Sequence, residues 1–182
     1  PDDYLIVVVD DCFKSSYKFL KDKSLKGVGG TIKVITIPTS QLPQSVAGLY
    51  CVDTVVLANV SQEQLTGLRK KALLDWIESG RLAVFLIGAD PTLCEPSKFG
   101  DVLPVKILNT TKLSTIALQG QRDYLFSVPE GIMIAEFIPA RIHRVLCKVN
   151  SVPIIVSFRR GKGRIVCSGL DLSNPQLCTQ KH

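Results

Sequence analysis

Residues 53–88 read DTVVLANVSQEQLTGLRKKALLDWIESGRLAVFLIG. Thr54 to Ala58 is a short β-branched, apolar run, as a strand buried on both faces requires. Asn59-Val60-Ser61 interrupts it. Ser61 and Gln64 have the S-x-x-Q spacing in which each side chain satisfies an orphan backbone N–H at a helix start. Leu65, Leu68, Ala72, Leu73, Trp76 and Ile77 recur at spacings of three and four, which predicts a helix over Ser61 to Ser79 with these residues on one face. Arg69, Lys70, Asp75 and Glu78 fall largely on the other. Gly80 supplies the left-handed residue that commonly ends a helix, and Leu82 to Ile87 is a second buried strand. A strand, an amphipathic helix and a second strand make a right-handed βαβ unit with parallel strands.

The pattern extends outward from this unit. Upstream, Leu5 to Val9 is a strand ending in Asp10-Asp11. Phe13 to Leu20 is weakly helical, and Lys21 to Gly30 is a basic, glycine-rich loop. Ile32 to Ile37 is a strand stopped by Pro38, and Thr39 to Cys51 is a polar connection with a short apolar turn, Val46 to Tyr50. The order β-α-β-(short α)-β-α-β implies a doubly wound parallel sheet. Downstream, Ala89 to Gly100 reads as a loop with one helical turn. Lys106 to Leu108, Leu113 to Leu118, Ile132 to Ile138 and Ile142 to Val149 read as short, mostly antiparallel strands. Pro153 to Phe158 and Arg164 to Ser168 form a hairpin around the glycine turn Arg159 to Gly163. The expected fold class is therefore α/β: a three-layer domain over residues 1–182, with a mainly parallel, flavodoxin-like sheet and antiparallel strand additions in the C-terminal half.

A length of 182 residues suits one domain with a full core and is short for two. The 46% hydrophobic and 21% charged fractions are those of a compact domain and argue against disorder. No apolar run approaches the ~18 residues of a membrane span, so no membrane insertion by this segment is expected. The sequence opens at Pro1 almost directly in a strand and carries no signal peptide. It is expected to be a mature or excised part of a larger protein, with a lean towards the cell envelope through that parent. The net charge of +6 gathers at Lys14 to Lys26 and Arg159 to Arg164. Neither cluster is interleaved with the aromatics of a single-strand-binding surface, so solvated charge and no nucleic-acid partner are expected. The six cysteines contain no C-x-x-C pair, so no metal site is signalled. Cys51, Cys147 and Cys167 lie in or beside apolar runs and are expected to be buried small hydrophobes.

Three blocks resemble the class I glutamine amidotransferase-like superfamily, and most of all its divergent, non-catalytic bacterial branch, found as modules in larger, often membrane-anchored proteins. They are Asp53 to Gly88, Phe99 to Val105 with its Leu103-Pro104-Val105, and Val152 to Leu172 with its Gly161-x-Gly163 and Asp171. Arg81 departs from the branch, which usually has a second glycine there. Catalytic members of the superfamily place a nucleophilic cysteine on a tight strand-to-helix turn, where backbone N–H groups form an oxyanion hole and lower the thiol pKa. A histidine then serves as base. The equivalent turn here is Gly88-Ala89-Asp90-Pro91, without a cysteine. Cys94 lies several residues beyond it. Of the two histidines, His143 sits in a strand pattern and His182 in a polar tail. A Cys94–His143 pair is the one triad the sequence could build; no catalytic residue is assigned.

Other chemistries of this fold class find no match. A phospho-receiver needs an Asp where Asn59 stands. Asp10-Asp11-Cys12 supplies neither D-x-S-x-S nor D-x-D. Gly27-x-Gly29-Gly30 precedes a strand, not the helix a phosphate cradle requires. Arg160 to Arg164 resembles a phosphate loop in composition, but its flanks are strands and a hairpin turn is the better reading. One constellation remains. In a doubly wound sheet, ligands sit at the C-terminal strand ends near the switch in strand order. Asp10, Asp11, Asn59 and Asp90 would lie on that edge, where carboxylates could take a cation or sugar hydroxyls. The competing reading is that they cap turns and helices there. The expectation is a non-enzymatic binding or scaffolding module with no cofactor. Its partners would be other domains of the parent and a protein or small-molecule ligand. The alternatives are a thiol-dependent amidotransferase or hydrolase, and an accessory domain of a carbohydrate-active enzyme.

Overall fold

The computed structural model describes residues 3–13, 30–118, 124–139 and 144–172. Nine strands and one α-helix lie among them: β1 (Tyr4–Val9), β2 (Ile32–Ile37), β3 (Thr54–Leu57), α1 (Gly67–Glu78), β4 (Leu82–Leu86), β5 (Val105–Leu118), β6 (Tyr124–Pro139), β7 (Arg144–Val149), β8 (Val152–Arg160) and β9 (Gly163–Ser168). Seven strands are hydrogen-bonded in the order β2-β1-β3-β4-β9-β8-β7, while β5 and β6 form a separate two-stranded ribbon. β1 runs parallel to both β2 and β3, with Ile6 opposite Val34 on one side and Thr54 on the other. Arg164 N–H donates to Arg81 O and Gly88 N–H to Ser168 O, which sets β4 and β9 parallel. β7 and β8 are antiparallel. This is the mainly parallel, flavodoxin-like sheet of a three-layer α/β fold, with antiparallel additions. No helix among the described residues is long and apolar enough to cross a membrane.

The chain divides into two compact units, the first built from Pro1–Val84 with Arg160–Ile165, the second from Phe85–Arg159 with Val166–His182. In the first, Val8, Val9, Val55 and Leu57 are fully or almost fully buried, because a central parallel strand is covered on both faces. Ala72, Leu73, Trp76 and Ile77 of α1 are buried as well. The Trp76 indole N–H donates to Leu49 O at 2.9 Å, in the 3₁₀ turn Val46–Leu49. The hairpin turn Gly161-Lys162 closes the other end of the helix. Lys162 N–H donates to Glu78 O, and Arg160 Nε lies 3.0 Å from Glu78 Oε1, off the line of a hydrogen bond. The basic hairpin is thus a helix C-terminal closure, which fits its reading as a turn between strands.

Several expectations for this region are corrected. The helix begins at Gly67, not Ser61, and its N-cap is Thr66, whose side chain accepts from Arg69 N–H. Ser61 and Gln64 do not cap it: Ser61 N–H is taken by the Asp11 carboxylate, and Gln64 Oε1 accepts from Ser40 N–H. Leu68, expected to be buried, is 61% exposed. With about 100° between successive residues, Leu68 falls outside the arc from Ala72 to Ile77, whereas Arg69 falls between Trp76 and Leu73. Arg69 therefore points inward, and its guanidinium donates to the carbonyls of Leu42, Gln64 and Ser40 at 3.0, 3.0 and 2.7 Å. Three charge-assisted bonds, each worth more than a neutral one, hold two loops to the first turn of α1. Cys51 is exposed, against expectation, whereas Cys147 and Cys167 are buried.

In the second unit three of the four expected short strands fall within two long ones, and the fourth is β7, short and antiparallel as expected. β5 and β6 pair antiparallel from Val105–Pro139 to Leu118–Tyr124, with register shifts at Ile107/Asn109 and Leu113/Thr115. Such bulges turn side chains out of strict alternation, which is why the periodicity looked broken. Ile132, Ile134, Cys147, Val149, Ile154 and Leu170 form this unit's core. The β7–β8 turn is Asn150-Ser151, both at positive φ (49° and 69°), as a two-residue hairpin of primed type requires. Phe13 begins the expected weak helix, whose other residues lie outside the described ones, as do the basic cluster Lys14 to Lys26, His143, Cys178 and His182.

Candidate functional site

Parallel strands end together, and the first three of the four predicted ligand residues meet where β1 and β3 end. Asp10 is fully buried; its Oδ1 accepts from Cys12 N–H at 3.0 Å and from Asn59 Nδ2 at 2.8 Å. Asp11 N–H in turn donates to Asn59 O at 2.8 Å. The Asp11 carboxylate accepts from Thr39 N–H at 2.9 Å, the Thr39 hydroxyl at 2.5 Å and Ser61 N–H at 2.7 Å. Asp11 thereby fixes the chain leaving β2 and the chain leaving β3 to the end of β1. A half-buried carboxylate with three donors is well satisfied, and releasing them to a ligand would forfeit that compensation.

Asp90 belongs to the second unit. It follows β4 and caps the 3₁₀ turn Pro91–Cys94, accepting from Thr92 N–H and the Thr92 hydroxyl. Its other oxygen receives Lys98 Nζ at 2.8 Å, in an ion pair with both side chains about nine-tenths buried. Lys98 also donates to Thr92 Oγ1 at 2.6 Å. An ammonium so enclosed needs both partners, since an unpaired buried charge is very costly. The sequence gives no signal of Lys98: it lies in a stretch without periodicity, eight residues from its partner. Phe99 beside it stacks edge-on to Phe85, ring centres 5.1 Å apart. Gly100 brings the loop close, where a Cβ would stand 2.2 Å from Cys94 O.

This loop borders a cleft of about 690 Å³ within the second unit, lined by residues of the turn after Asp90, by the loop Gly100 to Pro104 and by Val105, Lys106 and Ile107 at the start of β5. Cleft volumes of this size accommodate small ligands or short chain segments. The stretch reads as a plain loop in the sequence; its one hint is the recurrence of prolines at 91, 96 and 104 around Gly100. Among the described residues no three His, Cys, Asp or Glu side chains gather as metal ligands would.

Cys94 lines the cleft, and its electrostatics oppose nucleophilic use. Burial, reinforced by the Asp90 carboxylate, pushes its thiol from the ordinary 9.0 up to about 11. A reactive cysteine needs the opposite shift. A rise of two units leaves about a hundredfold less thiolate at pH 8, and the greater nucleophilicity of the more basic thiolate returns about half of that on a logarithmic scale. Alkylation of Cys94 by iodoacetamide at pH 8 is therefore expected to run at least about tenfold slower than that of the exposed Cys12 and Cys51. Mass-spectrometric labelling rates check this, and equal rates would refute it. Burial also raises the Cys167 thiol well above 9.0. Between pH 9 and 11 the folded chain then holds protons that the unfolded chain has released, so stability falls as pH rises through that window.

No family model matches the sequence, and no curated protein matches it. Solved structures do. A cytoplasmic protein from Salmonella typhimurium LT2 aligns with a TM-score of 0.68 and 16% identity over 99% of this chain and 94% of that one. A protein described as ThuA-like, from Bacteroides uniformis ATCC 8492, aligns with a TM-score of 0.59 and 12% identity over 92% and 81%. The exo-β-1,4-mannosidase Op5Man5 from Opitutaceae bacterium strain TAV5 aligns with a TM-score of 0.63 and 14% identity over 97% of this chain and 32% of the enzyme. At such identities the likeness is one of fold alone.

Proposed function

We propose that this chain is a non-catalytic, amidotransferase-like binding or scaffolding module of a larger bacterial protein, belonging to the divergent branch that its motifs resemble. The observation that carries this reading is the turn after β4. Where catalytic members of the superfamily hold a cysteine, Asp90 stands, engaged with Lys98 and Thr92. The nearest thiol in sequence, Cys94, is pushed up to about 11, the wrong direction for a nucleophile. The module takes no cofactor and acts through other domains of its parent and a bound ligand. Incubation with glutamine is expected to release no ammonia above background. Ammonia release abolished by Cys94→Ala would overturn the reading in favour of a thiol-dependent amidotransferase.

A second reading is an accessory domain of a carbohydrate-active enzyme. The alignment over 97% of this chain and 32% of the mannosidase favours it, since the same fold there forms about a third of a larger enzyme. Sequencing the complete transcript that encodes these residues separates the two: a glycosidase catalytic domain in the same chain selects the accessory reading.

A further inference from the structure

We propose that Arg144, Ser157 and Arg159 form a binding site for a phosphate monoester on the face shared by β7 and β8. The inference goes beyond the binding-module reading and does not depend on it. That reading rests on the turn after β4, this one on the register of two other strands.

Register brings the three residues together. Arg144 on β7 stands directly opposite Ser157 on β8. Residues paired across an antiparallel ladder project to the same face, and so do residues two apart on one strand. Arg159 lies two residues beyond Ser157, so the two arginines are diagonal neighbours with the serine between them. Diagonal neighbours have Cα atoms about 7–8 Å apart, which lets two long side chains reach a common ligand. Both arginines are exposed.

What the three lack is a partner. Arg69, Arg81 and Arg160 are each engaged by carbonyls or carboxylates. Arg144 and Arg159 make no hydrogen bond or ion pair among the described residues. β7 reads RVLCKV and β8 reads VPIIVSFRR, so neither strand supplies a carboxylate. Like charges held as neighbours without a counterion repel each other, and a bound anion relieves the repulsion. Ser157 is a second, independent sign. It is 4% exposed, and its hydroxyl has no hydrogen-bond partner among the described residues. It is nevertheless not sealed from water, since Arg160 Nε is the only unpartnered side-chain atom so sealed among those residues. The hydroxyl therefore opens onto the face where the arginines stand, with a proton to donate. A nearly buried hydroxyl left without a bond costs stability that a ligand oxygen would restore.

Charge and geometry select the ligand. A guanidinium presents a planar fork that meets two oxygens of a phosphate side by side. Two forks and a hydroxyl suit a tetrahedral anion with several free oxygens. A phosphate monoester carries about two negative charges at neutral pH, which balances the two cations; a carboxylate carries half of that.

The probe is phenyl phosphate, titrated near neutral pH and at constant ionic strength into the whole chain labelled with ¹⁵N, and followed by amide spectra. Saturable shifts centred on Arg144, Ser157 and Arg159 are expected. Dimethyl phosphate, a monoanion with two oxygens esterified, is expected to bind at least about tenfold more weakly. Arg144→Gln is expected to weaken phenyl phosphate at least about tenfold, and Ser157→Ala about threefold, each with the remaining amide spectrum intact. Arg159→Lys keeps the charge and loses the fork, and is expected to bind about fivefold more weakly. Absent saturation, shifts centred elsewhere, or parental affinity in Arg144→Gln would overturn the proposal. Equal binding of dimethyl phosphate would overturn the choice of a monoester, and parental affinity in Arg159→Lys would overturn the forked geometry.

Discussion

Trp76→Ala is expected to cost about 3–5 kcal/mol of stability, the range for deleting a fully buried large side chain. The indole is 1% exposed and lies among Ala72, Leu73 and Ile77 on the buried arc of α1. Removing it leaves a cavity that the surrounding strands cannot close without moving. It also strips Leu49 O of the indole N–H that it accepts at 2.9 Å. An orphaned acceptor costs a further part of what the bond had compensated. Urea melts give the measurement, and a loss under about 1 kcal/mol would show that the helix does not pack as described. Leu68→Ala is the control. The periodicity groups Leu68 with Trp76, but its exposed side chain predicts a change within about 0.5 kcal/mol.

Gly163→Ala should be comparably damaging for a different reason. A Cβ on Gly163 would stand 1.8 Å from Ile77 O and 2.5 Å from Arg81 O. Both neighbours are backbone, so no rotamer change relieves the clash. β9 must withdraw from the chain leaving α1, and it is held there by Arg164 N–H donating to Arg81 O at 3.0 Å. Overpacking in a well-formed interior typically costs 1–3 kcal/mol, and a clash between two backbones belongs at or above the top of that range, about 3 kcal/mol or more. Gly67→Ala makes the contrast. Nothing lies within 4 Å of a Cβ there, at the first residue of α1, and loss of unfolded-state freedom should stabilise by about 0.4–1 kcal/mol. Thermal melts of the two variants should move in opposite directions; a Gly163→Ala protein melting with its parent would refute the close approach.

The sequence was most legible where burial imposed a period. β1, β3 and β4 are short, apolar and β-branched because parallel strands covered on both faces have no polar side, and that run is visible without any structure. Arg69 shows where periodicity misleads. It occupies a buried azimuth, and only the positions of the Leu42, Gln64 and Ser40 carbonyls explain how a guanidinium fits there. The S-x-x-Q box failed for a similar reason: Ser61 N–H was claimed by Asp11, fifty residues earlier in the chain. For β5 and β6, two bulges scrambled the alternation of an otherwise long ribbon. The candidate site divides in the same way. That Asp10, Asp11 and Asn59 would meet followed from parallel topology. That their oxygens and amides would be spent on Thr39, Ser61, Cys12 and one another did not, because those partners come from separate loops. The pairing of Asp90 with Lys98 and the cleft beside β5 arise from aperiodic chain, where neither face nor spacing gives a signal.

The membership of Arg160–Ile165 in the first unit makes that unit discontinuous. A ribosome emitting this chain releases β1, β2, β3 and α1 long before the hairpin that closes the end of α1. Everything from Phe85 to Arg159 must emerge first. Until then Glu78 O has no Lys162 N–H, and β4 lacks β9 along its edge. The thermodynamic toll of closing so long a loop is small, since each doubling of length adds only about 0.6 kcal/mol. The kinetic toll is larger, because pairings distant in sequence form slowly. The N-terminal half of this chain consequently has no complete fold of its own during synthesis, and a fragment ending near Val84 would leave the ribosome with an open strand edge and with Glu78 O still lacking its Lys162 donor.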